Sequence, residues 1–120
     1  MADQNYSDTC IFCRLAKGLV RADIIFQDAA VIAFNDIHPQ APTHVLVIPR
    51  QHFTTLWEMD ETHVTLLGRI LLACNQVAQQ QGILDSGYRV VVNAGADAGQ
   101  TVDHVHFHVL GGRKLQWPPG

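Results

Sequence analysis

Three histidines alternate along His104-Val105-His106-Phe107-His108. If this segment is a strand, its period of two puts all three imidazoles on one face and Val105, Phe107 and Val109 on the other. Imidazole titrates near neutrality and serves as metal ligand, base or nucleophile. Three readings are therefore open: a solvated strand face, a three-histidine metal site, or a catalytic row with a central nucleophile between orienting neighbours. The stretch just before it, Asn93 to Thr101, carries Gly95 and Gly99 and the donors Asn93, Gln100 and Thr101. Its backbone N–H groups could form a nest for an anion, although an ordinary turn would read the same way. The loop and the histidine row together favour phosphoryl or nucleotidyl chemistry.

A second cluster is Cys10-Ile11-Phe12-Cys13. A C-x-x-C can hold zinc, form a redox pair or bury two small apolar residues. A structural zinc needs four ligands, and the chain has no second C-x-x-C. The third cysteine, Cys74, reads as core, and an odd count of three leaves at least one thiol unpaired. Of the remaining histidines, His38 and His63 read as exposed. Phe53 and Trp57 read equally as core or interface.

The elements that must position these groups are short. Thr9 or Asp8 can cap a helix over 11–17 that Gly18 ends. The apolar runs 24–27 and 31–34 around Asp28 predict a hairpin. Pro39 and Pro42 make 35–43 a loop, and 44–49 is a nearly continuous apolar run fit for a central strand. A long helix starts near Asp60, with Val64, Leu67, Leu71, Cys74 and Val77 as its buried stripe and Gly82 closing it. Strands follow over 88–92 and 102–110. The order α-β-β-β-α-β-β predicts an α+β fold with a mostly antiparallel five-stranded sheet, one short helix and one long one.

The chain has 120 residues, 48% hydrophobic and 16% charged, with a net charge of −3. One domain over 1–120 is expected, with 1–8 loosely ordered. No basic run exists, which argues against a polymer nucleic acid or a membrane surface as partner. The N-terminus lacks a signal-peptide pattern and no apolar stretch is long enough to span a bilayer, so the expected location is the cytoplasm.

The histidine row, with Gly99-Gln100-Thr101 before it and Gly111-Gly112-Arg113 and Trp117-Pro118-Pro119-Gly120 after it, resembles the histidine triad (HIT) superfamily. Phe34-Asn35-Asp36-Ile37 and Pro39-Gln40-Ala41-Pro42-Thr43-His44 extend the likeness to the branch of histidine triad nucleotide-binding (Hint) proteins. The resemblance implies a homodimer whose sheets join across the two-fold, with 111–120 reaching toward the partner subunit. It also implies hydrolysis of purine nucleoside phosphoramidates, releasing a nucleoside monophosphate and an amine. His106 matches the nucleophile, His108 a donor to the phosphate oxygens, and His104 and His44 their orienting neighbours. Asn93, Gly99, Gln100 and Thr101 match contacts to the phosphate or leaving group, and Asp36, with Ile37 beside it, the ribose. Phe12, Val20 and Ile25 match the base pocket, and Trp117 the residue reaching the partner's site. Members with this C-x-x-C bind structural zinc at positions matching Cys10, Cys13, His52 and His104.

Four positions depart from the family pattern. Arg21 stands where proline is common, Asp103 where an aromatic is frequent, Thr101 where serine is common and Ala98 where glycine is frequent. None removes a catalytic group, but Arg21 and Asp103 bear on substrate choice. Two alternatives to a phosphoramidase remain at this stage: a dinucleoside polyphosphate hydrolase using the same nucleophile, and a nucleotide-binding or interaction module with incidental catalysis. The outsider is a metal enzyme with His104, His106 and His108 as ligands.

Overall fold

A computed structural model describes residues 6–120; the first five positions of the expected loose N-terminus lie outside the described residues. The elements are α1 (Ile11–Ala16), β1 (Ile24–Gln27), β2 (Val31–Asn35), β3 (Thr43–Pro49), α2 (Val64–Gln80), β4 (Tyr88–Val92) and β5 (Phe107–Gly111). All strand pairs are antiparallel, and the five-stranded sheet runs β1-β2-β3-β5-β4. The expected α+β class and element order hold. Among the described residues, no helix is long and apolar enough to cross a membrane.

The continuous apolar runs of β2 and β3 are explained by a sheet covered on both faces. Val31, Ala33, Val45, Val47, Phe107 and Val109 face α2. Ile32, Phe34, Leu46 and Ile48 face Phe12 and Leu15 of α1. The β1–β2 turn is tied to both helices. Asp28 accepts from the Ala30 and Val31 N–H groups, each at 2.8 Å, and pairs with Arg69 of α2. Arg50 donates to the Asp28 carbonyl at 2.8 Å and to the Ala16 carbonyl of α1 at 2.6 Å.

Four expectations need correction. The N-cap of α1 is Cys10, whose Sγ accepts from the Cys13 N–H at 3.3 Å, rather than Thr9 or Asp8. The buried stripe of α2 is Ile70, Ala73, Cys74, Val77 and Ala78, whereas Val64 and Leu71 are 65% and 49% exposed. Leucine or isoleucine fills 66, 67, 70, 71 and 72, so the apolar arc is wider than the sheet can cover, and periodicity alone does not choose the face. His63 is half-buried and structural. Its Nδ1 accepts from the Asp60 N–H at 3.0 Å, closing a capping box in the place usual for Glu or Gln.

The last strand is also shorter than 102–110. In its register Val47 faces Phe107, which sets Pro49 opposite Val105. A proline has no N–H to give the ladder, so pairing stops there. Val105 bonds instead to the Phe53 carbonyl at 2.8 Å. Residues 104–106 thus sit just past the sheet, with the alternation of faces kept.

Gly112 follows β5 at φ +87°, and a Cβ there would lie 2.9 Å from Pro42 Cβ. Gly82 has φ +73° in open space. Gly112→Ala is expected to destabilise the fold by about 2–3 kcal/mol and Gly82→Ala by about 1 kcal/mol, read as a larger Tm loss for the first in thermal melts.

Candidate functional site

His104, His106 and His108 all turn toward the α1 side of the sheet, away from the core that holds Val105, Phe107 and Val109. Their hydrogen bonds fix which nitrogen of each ring carries a proton. His106 Nδ1 lies 2.7 Å from the His104 carbonyl, which can only accept, so Nδ1 bears the proton and Nε2 keeps a lone pair. His104 Nε2 donates in the same way to the Pro49 carbonyl at 2.8 Å, leaving its Nδ1 as a lone pair.

A second line runs through β3. The Gln40 N–H donates to His44 Nδ1 at 3.0 Å, so His44 carries its proton on Nε2. That nitrogen faces His108 Nδ1 at 2.9 Å and Asp36 Oδ2 at 3.4 Å. His108 Nδ1 must then accept, and its Nε2–H is left as a buried donor without a partner. His44 and His108 are diagonal neighbours because Leu46 is paired with His108 across β3 and β5. Burial lowers the His44 imidazole below its ordinary value, and Asp36 partly opposes that. Burial, with His106 and His44 adding to it, pushes His108 down to about 4. His108 is therefore a neutral donor at pH 7.

A cleft of about 580 Å³ opens in front of these rings. Phe12, Leu15, Val20, Phe34 and Leu46 make an apolar wall, and Asp36, Thr101, His106 and His108 lie along it. Phe12 meets both Phe34 and His106 edge-on, each at 5.4 Å between centroids. One oxygen of Asp36 accepts from the His38 N–H at 2.8 Å. The lining is thus mostly apolar, with a carboxylate, a hydroxyl and two imidazoles among it.

Of the expected cleft residues, Phe12, Val20, Asp36, Ile37 and Thr101 line it with His106 and His108, and His44 stands behind His108. Ile25 does not. A bulge between Ile24 and Phe26 turns Ile25 into the α2-side core, and Ala22 and Asp23 take the rim instead. Asn93, Gly99, Gln100 and Trp117 also lie outside the lining. Gln100 braces its own loop: Oε1 accepts from the Gly95 N–H at 3.0 Å, and Nε2 donates to the carbonyls of Thr54 and Val102 at 2.7 and 2.9 Å. Trp117 is 81% exposed. Sequence reasoning missed Leu15, detectable as the i+3 neighbour of Phe12 on a helix. It also missed Gln40 and Pro49, which act through backbone groups and carry no side-chain signal.

Cys10, Cys13, His52 and His104 form a separate cluster whose ligand atoms all lie within 4.8 Å of one another. Cys10 Sγ is 3.3 Å from His104 Nδ1, Cys13 Sγ is 3.2 Å from His52 Nδ1, and the two Nδ1 atoms are 3.3 Å apart. Tetrahedral Zn²⁺ with Zn–N near 2.0–2.1 Å and Zn–S near 2.3 Å separates its ligands by about 3.3–3.8 Å. The donors thus fit a four-coordinate zinc, and the bond to Pro49 already presents His104 Nδ1 as a lone pair. The three-histidine metal site does not assemble, because His104 turns into this cluster while His106 Nδ1 is spent on a carbonyl. Asp36, His44 and His108 also lie close together, but a proton occupies the space between the two rings.

A model of the HIT domain matches residues 17–115. The chain belongs to the HIT domain family. A 14 kDa zinc-binding protein of Zea mays is 45% identical over 92% of this chain and 87% of its own. The crystal structure of a HIT family hydrolase from Legionella pneumophila superposes with a TM-score of 0.92 at 44% identity, covering 93% of this chain and all of that one. A histidine triad nucleotide-binding protein from Candida albicans has a TM-score of 0.78 at 33% identity, over 92% of this chain and 83% of its own.

The HIT domain's relay makes a pH test. A histidine whose folded value lies below its unfolded one binds fewer protons when folded, so stability falls as pH drops through that window. For His108 the window runs from 6.5 down to about 4. Unfolding free energy measured in urea at pH 7, 6 and 5 should decline toward acid, and less steeply in His108→Gln. Equal slopes would remove His108 from the cause.

Proposed function

We propose that this HIT protein is a hydrolase of the Hint type that cleaves the P–N bond of purine nucleoside 5′-phosphoramidates through a nucleotidyl-histidine. The observation that carries the reading is the pair of opposite nitrogens at the cleft, the His106 Nε2 lone pair and the unpartnered His108 Nε2–H. One is a nucleophile at neutral pH and the other a donor for a phosphoryl oxygen. The names of the Legionella and Candida relatives, a hydrolase and a nucleotide-binding protein, agree with it.

In the first step His106 Nε2 bonds to the α-phosphorus as the P–N bond breaks, and the amine leaves after its nitrogen takes a proton from solvent water. The ring becomes positively charged, and the His104 carbonyl on its Nδ1–H is placed to hold that charge. His108 donates to the equatorial oxygens through Nε2–H, with His44 fixing its tautomer. Thr101 supplies a hydroxyl at the same end of the cleft. Water then attacks the phosphorus and the P–Nε2 bond breaks with its electrons returning to Nε2, so the nucleoside monophosphate leaves with the water's oxygen, a proton passes to solvent and neutral His106 is restored. The base lies between Phe12, Val20 and Phe34, and the Asp36 carboxylate takes the ribose hydroxyls.

Cys10, Cys13, His52 and His104 would hold one structural zinc, agreeing with the name of the maize relative. Zinc bound there supplies a cross-link between α1 and the residues flanking β3 and β5. The working unit is a homodimer: β4 is a sheet edge, and Trp117 is exposed on the tail expected to reach the partner.

Native protein should release nucleoside monophosphate from an adenosine phosphoramidate, and His106→Ala should lose at least about a thousandfold in kcat while staying folded. Acid-quenched native protein should carry a nucleotidyl adduct by mass spectrometry that His106→Ala lacks. Absence of release by folded native protein would end the phosphoramidase reading. Elemental analysis should find one zinc per chain, lost in Cys13→Ser together with several degrees of Tm. Zinc-free native protein with an unchanged Tm would refute the structural role.

A further inference from the structure

A second cavity, of about 470 Å³, adjoins the nucleotide cleft and shares Ile11, Thr101 and Val102 with it as a common wall. Its character is different. Ser7, Thr9, Thr54, Thr101 and Asp103 line it together with Cys10 and His52 of the four-donor cluster, and no lysine or arginine does. Asp103 has no ion pair among the described residues. Thr101 stands in both cavities, so under the phosphoramidase reading a phosphate held by Thr101, His106 and His108 would lie at their junction. The nucleoside fills the apolar side, and the group on the far side of the phosphate must leave by another route.

We infer that this second cavity is the leaving-group subsite, and that Asp103 selects amines carrying a further positive charge away from the scissile nitrogen. The inference rests on the phosphoramidase reading and names the substrate class within it. A distal ammonium would pair with Asp103 while the hydroxyls replace its water. During reaction the P–Nε2 bond forms, the P–N electrons return to the amine nitrogen, and that nitrogen takes a proton from solvent water. The distal ammonium stays on Asp103 and is not consumed.

The test uses two adenosine 5′-phosphoramidates, one of 1,4-diaminobutane and one of pentylamine, which differ by a distal ammonium in place of a methyl. The quantity read is the ratio of their kcat/KM values, in native protein and in Asp103→Asn. Comparing the ratio between proteins cancels the intrinsic reactivity of the two amines. The native ratio should exceed the Asn variant's by up to about fivefold at low salt, as expected for a solvent-exposed ion pair. The excess should shrink in 0.5 M NaCl, and Asp103→Lys should push the ratio below that of Asp103→Asn. Equal ratios in all three proteins, with both compounds cleaved, would overturn the subsite and leave the phosphoramidase intact. Cleavage of neither compound by folded native protein would remove both readings together.

Discussion

The bond from His104 Nε2–H to the Pro49 carbonyl is the joint on which the site depends. Pro49 ends the β3–β5 ladder because it has no N–H, and its carbonyl is thereby free for a side chain. His104 is fully buried, so an unpartnered ring nitrogen there would cost about 1–3 kcal/mol, and the bond is held firmly. That single contact orients the ring so that Nδ1 turns to Cys10, Cys13 and His52. It also sets the His104 backbone, whose carbonyl receives His106. One residue past the end of the sheet thus serves two clusters, one through its side chain and one through its main chain.

The two proton lines reach the cleft with opposite polarity, a lone pair on His106 and an N–H on His108. His106 and His108 have centroids 5.0 Å apart. Two like charges at that distance repel by about 3 kcal/mol at an effective dielectric of 20, and burial adds to the cost. In the free protein burial first, with His106 and His44 adding to it, keeps His108 uncharged and donating through one nitrogen only. A bound phosphate anion would change the balance, since a negative group at Nε2 favours a protonated ring.

Much of this was legible from residue types. The alternation at 104–108 named the face, and the apolar runs at 31–34 and 44–49 named the central strands. The C-x-x-C alone left zinc, redox and core readings open, and His52 and His104 as its partners came only from the family resemblance. The illegible parts have physical causes. A one-residue bulge in β1 moved Ile25 from one face of the sheet to the other, and nothing in Ile24-Ile25-Phe26 marks where it falls. The broad apolar arc of α2 left its rotation to packing. Gln100 reads as a ligand donor from its type, yet both ends of its amide are consumed by the loop it belongs to. The acceptors and donors that fix the tautomers, at Pro49, His104 and Gln40, are backbone groups that every sequence possesses.

Helix α1 joins the two halves of the argument. It has six residues, too few to be stable alone, yet it supplies Phe12 and Leu15 to the cleft wall. Its ends are therefore fastened from outside. At the C-terminal end Arg50 donates to the Ala16 carbonyl, and through the Asp28 carbonyl the same guanidinium reaches the β1–β2 turn that Arg69 holds from α2. At the N-terminal end Cys10 caps the helix with the same sulfur that faces His104, and Cys13 lies one turn on, against His52. The four-donor cluster thus lies where the helix would otherwise fray. Its position follows from the helix end it has to hold, and it leaves Cys10 and His52 bordering the second cavity.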